Sequence, residues 1–492
     1  MTWNSEFEVA FNPKTIAVVG ASRSPYLFGD FVANLKLAGF SGHIYPINPK
    51  AAKEGATIHG LKAYPNLVSV PEKIDLVTAS IPAPAIIPLL EQCIAANARN
   101  IQIYTAGFKE SGTSEGIELE RKLQEVAMRG GLNVVGPNCM GLHVPASRIT
   151  TWAFMGKPGS VGFISQSGGH AGIFVLEAPE YGVNISKVIS YGNAAVMDST
   201  DFLEYMDNDT DTKIIGLYME GVSDGRKLTS LVRQINRRKP VIIWKGGATD
   251  CGARAAESHT GSLGGSREVW DAFFRQTGAV RVNNIDELLD VAILFLNLKH
   301  LEGNRVALIG GGGGNSVSSA DICDQAGLDV PAFTKETLKK LQEFIPLEGT
   351  ITRNPIDIAF AMIDLNVLLR SLELSAADPN IDAVIFSLPP GIFLLAAAVR
   401  QAKDKSTFEQ AVEEQSRSIV EILSRFRREK ASGKPLIIVL QAGVIRFLPG
   451  QREKLRQALV KEGIPTYLSL EQASVAIGRF MKYRGFLQKD IA

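Results

Sequence analysis

Cysteine is scarce in this sequence: Cys93, Cys139, Cys251 and Cys323 lie far apart and form no C-x-x-C pair. Neither a disulfide framework nor a zinc site is expected, and no metal site is read anywhere in the chain. An excess of charge of either sign is also missing. Lysine and arginine total 52 against 51 aspartates and glutamates, too even a balance to neutralise a phosphodiester backbone, which argues against nucleic acid as a partner. Long apolar runs are absent. A stretch such as LLDVAILFLNL (288–298) falls short of the ~18–20 residues a bilayer requires, so no membrane span is expected. The opening residues, MTWNSEFEVA, have neither the basic nor the apolar segment of a secretory signal. A cytoplasmic enzyme fits these absences.

What is present is an ordinary globular composition, 45% hydrophobic and 21% charged, in 492 residues. That length exceeds one hydrophobic core, so several α/β-sized domains are expected. Short β-branched runs alternate with helix-length segments: TIAVVG (15–20), HIYPIN (43–48), DLVTAS (75–80), NIQIYT (100–105) and NVVGPN (133–138). Such alternation implies βαβ units and a parallel sheet. These runs define a first domain over residues 1–145. A weakly periodic segment (143–160) leads to a second series, SVGFISQSGG, ISKVISYGNA, TKIIGLYMEG and KPVIIWKGG, which closes with the amphipathic IDELLDVAILFLNL (285–298) as an exit helix and LKHLEGN as a linker. The second domain spans 158–300. A third, 304–485, opens at NRVALIGGGGGNS and runs through NIDAVIFSLPPG, KPLIIVLQAG and GIPTYLSLEQA. The fold class is α/β, three parallel-sheet domains in succession.

The segment VVGASRSPYLFGDFVANLKLAGF leaves a strand and enters a helix, where backbone N–H groups and the helix dipole hold phosphate. A dinucleotide reading fails there, because Gly20 stands alone and Ser22 occupies the place of the second glycine. The second strand ends in YPINPK, so Lys50 stands where a ribose-binding acid would be; a cation suits a phosphorylated ribose or a pyrophosphate. Ser22, Ser24 and Arg23 add donors for phosphate oxygens. A generic α/β turn remains the alternative for this loop.

The motifs GASRSP, PINPK, SIPAP, TAGF and GPNCMG, in that order and spacing, resemble the CoA-binding domain of succinyl-CoA synthetase α subunits and ADP-forming acetyl-CoA synthetases. The resemblance implies that the first domain is Rossmann-like and the next two are flavodoxin-like CoA-ligase domains. It also implies CoA contacts at or near Ser22, Arg23, Ser24, Pro25, Lys50, Ser80, Pro82, Tyr104, Thr105, Ala106 and Asn138, beside the Gly20 turn.

Six histidines are available. His43, His59, His143 and His300 read as surface or capping residues, and His170 as either a substrate contact or a packing residue. His259 lies in KGGATDCGARAAESHTGSLGGS, a glycine-punctuated stretch able to bring its backbone close to a ligand or to move between sites. Composition leaves two readings open: an incidental histidine on a surface loop, or a nucleophile toward an activated phosphoryl group. The stretch Ala256–Gly265 resembles the family's A-x-S-H-T-G-x-L-x-G phosphohistidine motif, which implies that His259 carries phosphate. LYMEGVSDG matches the motif in which the family keeps its histidine-orienting glutamate, here Glu220. Ser165, Gln166, Ser167, Gly168 and Gly169 follow a strand and open a helix, so their N–H groups point at an anion. The family has its first phosphate-cradling helix at this motif. It often has acidic residues after YGN, where this chain has Met197-Asp198-Ser199-Thr200; no metal or substrate role is assigned to that stretch.

Five glycines, Gly310 to Gly314, separate a strand from a helix in the third domain, and no Gly-Lys-Ser/Thr follows to make a Walker loop. The resemblance implies a second phosphate-facing helix there, formed by Gly311, Gly312, Gly313, Gly314 and Asn315. It implies the α subunit of an NDP-forming acyl-CoA synthetase, interconverting carboxylic acid, CoA and ATP with acyl-CoA, ADP and phosphate. No stretch remains for the ATP-grasp domain that binds ATP or ADP with Mg²⁺ in these enzymes. A separate ATP-grasp β subunit in a hetero-oligomer is therefore expected. Two rival readings are a non-catalytic CoA-binding regulatory protein and an NAD-dependent oxidoreductase; the broken glycine fingerprint and Lys50 weigh against the latter.

Overall fold

Fully buried strands organise this protein. In the computed structural model, residues 5–22, 30–249, 251–252, 266–298, 301–310, 313–346, 348–358, 364–389, 405–441 and 450–489 are described. The first sheet contains β1 (Thr15–Val19), β2 (His43–Ile47), β5 (Leu76–Ala79), β6 (Asn100–Ile103) and β7 (Asn133–Val135), with a small antiparallel pair, β3 (Thr57–Ile58) and β4 (Leu61–Lys62), beside it. Its order is β2-β1-β5-β6-β7, all parallel. The second comprises β8 (Gly141–His143), β9 (Pro158–Ser165), β10 (Ile185–Ser190), β11 (Ile214–Met219), β12 (Val241–Lys245) and β13 (Val280–Val282), in the order β13-β12-β11-β9-β10-β8. The third comprises β14 (Val306–Gly310), β15 (Ile356–Asp357), β16 (Ala383–Leu388), β17 (Leu436–Leu440) and β18 (Thr466–Tyr467), in the order β15-β14-β16-β17-β18.

Counted within each sheet, with the antiparallel β8 set aside, all three share the doubly wound order 2-1-3-4-5, so each reverses direction beside its first strand. Ligands of open α/β sheets bind at that point. The pattern follows from composition: β1, β10, β11 and β17 are buried at every residue, as continuous apolar runs covered on both faces by helices must be. β8 departs from the sequence reading. It lies at the edge of the weakly periodic segment and pairs antiparallel with β10, Val188 opposite His143. His143 departs too: it is fully buried, with Nδ1 3.0 Å from Thr150 Oγ1, and desolvation lowers its pKa to about 4.

The chain forms two compact units, Met1–Pro179 with Val183–Leu288, and Glu180–Gly182 with Leu289–Ala492. The first holds the first two sheets. Its core is continuous through a short N-terminal helical turn, where Phe11 stacks on Tyr205 at 3.9 Å and Phe7 meets Phe202 at 6.0 Å. In the second unit, Asp382 at the start of β16 accepts a bidentate pair of bonds from Arg305 beside β14, at 2.9 and 2.7 Å. The helix Ile285–Asn297, expected to be amphipathic, is buried at every residue from Leu288 to Leu294, so over those two turns it has no solvent face. Among the described residues no helix is long and apolar enough to cross a membrane.

Phe11 is 3% exposed and couples the first sheet to the helix Ser199–Asn208. Phe11→Ala should cost about 3–5 kcal/mol through the cavity it leaves. The expected result is a lower unfolding midpoint for the first unit, with Leu37→Ala, at a position 72% exposed, unchanged as a control. Equal midpoints for the two variants would refute the assignment of Phe11 to this core.

Candidate active site

The reversal point of the first sheet lies between β1 and β5. Gly20 follows β1 with φ +87°, and a Cβ there would lie 2.1 Å from the carbonyl oxygen of Ser80. No side chain fits, so glycine lets the two strand ends close on each other. Asn48 ties in the next loop: its Nδ2 donates to Ala21 O at 2.8 Å, and its Oδ1 caps the helix Pro49–Lys53 by accepting from Ala51 N. Lys50 is exposed at the start of that helix. The Thr105 hydroxyl donates to Ile81 O at 2.6 Å and accepts from Ile81 N at 3.3 Å, which clamps the SIPAP loop to the TAGF loop. Asn138, at φ +55°, donates its backbone N–H to Thr105 O at 2.9 Å and brings in the GPN loop. Tyr104 packs edge-on against Phe31 at 5.5 Å.

The second sheet reverses at β9, between β10 and β11. Ser165 is wholly buried and its hydroxyl donates to Ser167 O at 2.7 Å, shaping the turn. Gln166 is a bridge. Its N–H donates to Tyr218 O at 3.1 Å, and its Oε1 accepts from Glu220 N at 2.8 Å and Gly221 N at 3.3 Å. Ser167 caps the helix Gly168–Glu177 by accepting from His170 N at 3.3 Å. The N–H groups of Gly168 and Gly169 take no partner among the described residues, and a Cβ at Gly169 would meet only Ser167 Oγ, at 3.7 Å. Gly168 lies close to Met140, with a Cβ there 2.9 Å from its Cγ. Two open donors at a helix start suit an anion.

These loops meet in one cavity of about 580 Å³ inside the first unit. From the first sheet it is lined by Ser80, Pro82, Tyr104, Thr105, Ala106 and Asn138. The second sheet contributes Gln166, Ser167, Gly168 and Gly169, with Gly192 and Asn193 from the loop after β10. Ten of the sequence-predicted residues thus share one space. Gly20, Ser22, Lys50, Ser165 and Glu220 are not on its lining. Arg23, Ser24, Pro25, His259, Gly311 and Gly312 lie outside the described residues. Gly313, Gly314 and Asn315 open the helix Gly313–Gln325 of the second unit.

Glu220 sits at the end of β11, 5% exposed, with Oε1 accepting the Tyr218 hydroxyl at 3.0 Å. Burial and the Glu220 charge raise the Tyr218 pKa, so the phenol stays a donor. Around that hydroxyl, His170 packs on Tyr218 at 4.5 Å and on Trp244 at 4.3 Å, and a Cβ at Gly246 would reach the Tyr218 oxygen at 2.6 Å. His170 thus packs among aromatic rings, whichever of its two expected roles it serves. Lys245, at the end of β12, is 5% exposed; its Nζ donates to Gly246 O and lies 5.1 Å over the Trp270 ring. Desolvation lowers its pKa to about 8, and Glu220 opposes that shift. The sequence reading passed over Lys245, although a lysine closing an apolar strand at the head of the glycine-rich loop was a visible signal. Asp198 caps the helix Ser199–Asn208, paired with Asp201 in a capping box, which gives the stretch after YGN a structural role.

Residues 14–145 match the CoA binding domain family, and residues 158–295 match the succinyl-CoA ligase like flavodoxin domain. The α subunit of acetate–CoA ligase [ADP-forming] II from Pyrococcus furiosus is 34% identical over 468 residues, 95% of each chain. Acetate–CoA ligase [ADP-forming] I from Archaeoglobus fulgidus is 40% identical over 389 residues; the match takes in 78% of this chain and 55% of that protein, so this chain spans about half the length of that relative. Among solved structures, an acetyl-coenzyme A synthetase 1 from Ca. Korarchaeum cryptofilum, in complex with phosphate and ADP, superposes with a TM-score of 0.81 at 29% identity over 99% of both chains. By its near full-length match to a relative of that kind, and by the cavity its two matched domains enclose, the chain belongs to the family of ADP-forming acetate–CoA ligase α subunits.

Proposed function

We propose that this chain is the α subunit of a cytoplasmic NDP-forming acyl-CoA synthetase, interconverting carboxylic acid, CoA and ATP with acyl-CoA, ADP and phosphate. The observation that carries the reading is the shared cavity, in which the loops after β5, β6 and β7 face the helix start at Gly168 and Gly169 with its open N–H groups. CoA would lie along the first set, with Ser80, Pro82, Tyr104, Thr105, Ala106 and Asn138 beside its thiol arm, and with Gly20, Ser22, Arg23, Ser24, Pro25 and Lys50 toward its phosphates. Phosphate would sit at the second. We propose the domain limits 1–145, 158–300 and 304–485.

In the acyl-CoA-consuming direction, a phosphate oxygen attacks the thioester carbonyl carbon. The C–O bond forms, the C–S bond breaks, and the thiolate leaves and takes a proton. Imidazole nitrogen of His259 then attacks phosphorus, and the P–O bond to the acyl group breaks to release the carboxylate. Finally a β-phosphate oxygen of ADP attacks the phosphohistidine and the N–P bond breaks. Glu220 would hold the imidazole in one tautomer by accepting from its other nitrogen. Its burial suits that task, since a desolvated carboxylate fixed by Tyr218 and by Gln166 on its own backbone has one orientation to offer. Gly168 and Gly169 would hold the phosphoryl oxygens, with Ser165, Gln166 and Ser167 shaping their turn, and Gly311, Gly312, Gly313, Gly314 and Asn315 would form a second cradle. ADP and Mg²⁺ would belong to an ATP-grasp β subunit in a hetero-oligomer; the metal there would neutralise nucleotide phosphates. The phosphate and ADP bound to the Korarchaeum synthetase support the phosphoryl route, and the Pyrococcus relative, itself a subunit alpha, supports a partner.

His259→Ala should abolish acid-labile, base-stable phosphorylation from ATP and the partner while CoA affinity is retained. Glu220→Gln should fold normally and slow single-turnover phosphorylation about 10²–10⁴-fold, as loss of an orienting carboxylate does in a hydrolytic triad. Phosphate uptake by the His259 variant would sink the assignment, and an unsubstituted chain that takes up none would favour a regulatory CoA-binding protein.

The purified chain alone should bind CoA yet form no acyl-CoA from acid, CoA and ATP, and a separately supplied ATP-grasp subunit should restore turnover. A coupled assay with size-exclusion chromatography measures both. Complete ATP-dependent synthesis by the single chain would overturn the two-subunit reading.

A further inference from the structure

Asn193, on the cavity wall in the loop after β10, connects three loops that belong to two different sheets. Its Nδ2 donates to Glu110 Oε2 and, at 2.8 Å, to Glu120 Oε2, which uses both amide protons. Its Oδ1 accepts from Asn138 Nδ2 at 3.3 Å. Glu110 passes the contact on: its Oε1 accepts from Gly107 N at 2.6 Å and Phe108 N at 3.1 Å, the backbone of the TAGF loop. The backbones are tied as well. Asn193 N donates to Pro137 O at 3.0 Å and Ala195 N to Gly136 O at 3.1 Å, and a Cβ on neighbouring Gly192 would stand 2.2 Å from Asn138 O. On the other side the loop begins at Ser190, whose hydroxyl accepts from Met140 N at 3.0 Å, and at Tyr191, whose N–H donates to Ser165 O at 3.0 Å.

Two carboxylates therefore converge on one carboxamide. No ion pair with either is present among the described residues; Lys109 donates its backbone N–H to Glu120 at 3.4 Å, and its charge attracts that carboxylate. Burial raises the Glu120 pKa, and the Glu110 charge adds to that. A neutral double donor between two acids is what keeps them from repelling each other, and Asn is the short side chain that also supplies the acceptor for Asn138.

We infer that Asn193 is a positioning residue for CoA: it fixes the TAGF and GPN loops against the loop that adjoins the phosphate-binding turn. The inference rests on the assignment of CoA to this cavity. Its consequence is a separation of functions, because Glu220, proposed for phosphoryl transfer, does not touch this cluster among the described residues, and His259 belongs to a different loop.

Calorimetric titration of the purified chain with CoA tests it. Asn193→Ala should weaken CoA binding by about 10–100-fold, the loss expected when charge-assisted hydrogen bonds are removed from one buried and one half-buried carboxylate. Single-turnover phosphorylation by the partner and ATP, a step without CoA, should fall far less than CoA affinity does. Asn193→Asp distinguishes a positioning role from general damage. It sets a third carboxylate against Glu110 and Glu120, so affinity relative to the unsubstituted chain should be lowest near pH 8. Affinity should then recover as pH falls toward 5, where a shared proton restores a donor. Taking the ratio at each pH cancels the titration of the CoA phosphates. Should Asn193→Ala fail to fold, the aspartate series carries the test alone. An Asn193→Asp deficit independent of pH, or unchanged CoA affinity in Asn193→Ala, overturns the inference. Absence of CoA binding by the unsubstituted chain overturns the functional reading and this inference with it.

Discussion

Every strand of a parallel sheet delivers its loop to the same edge, and the site in this protein depends on that directional constraint twice over. β1, β5, β6 and β7 all end where Gly20, Ser80, Thr105 and Asn138 stand; β9, β10, β11 and β12 all end where Ser165, Ser190, Met219 and Lys245 stand. Within the first unit the two edges close on one cavity. Its chemistry can then be supplied by residues far apart in sequence, because the strands do the gathering. The joint is made at backbone level by Gly192 against Asn138 O, and by side chains where the Asn193 carboxamide bridges two glutamates.

Close approach without side chains is the second theme. At Gly20 and Gly192 a Cβ would fall within 2.1–2.2 Å of a carbonyl oxygen, a separation that requires glycine outright. Gly168 is closely approached as well, a Cβ there falling 2.9 Å from Met140 Cγ, but it shares a second feature with Gly169. These glycines leave two N–H groups open at the head of a helix, and a ligand rather than the protein must complete them. The side chains nearby are already engaged. Gln166 is spent on holding Glu220 and Gly221, and Ser165 on the turn itself, so the fine placement of the site is a backbone property supported from behind by fixed polar side chains.

The sheets and much of the cavity wall were legible in the sequence, because continuous apolar runs ending in Gly, Ser, Pro or Asn mark buried parallel strands and their loops. SIPAP, TAGF, GPN and SQSGG all arrived at one cavity for that reason. What was not legible depends on distance in space. Asn193 reads as one more polar residue in a turn, and its significance appears only once Glu110 and Glu120, some eighty residues earlier, fold onto it. His143 reads as a surface residue because β8 is three residues long and antiparallel, too short to leave a periodic trace. Phe7 and Phe11 lie ahead of the first strand, where nothing in the pattern announces a core; their partners are nearly two hundred residues away. The helix at Ile285–Asn297 was read as amphipathic, yet even its Asp290 is buried with its neighbours.

Among the described residues that line the cavity, none has a charged side chain. For the proposed chemistry this is a constraint with a physical logic. In the proposed chemistry a phosphoryl group arrives from an acyl phosphate and departs on a histidine, so the groups that hold it must not stabilise the bound ground state more than the transition state. Neutral N–H donors at a helix start hold the oxygens by geometry and by a partial charge that is already oriented, at little reorganisation cost. Among the described residues Glu220 and Lys245 are set back from the wall at the ends of β11 and β12 and are 5% exposed. In the proposed chemistry their charges would act through the low-dielectric interior rather than by contact with the phosphate.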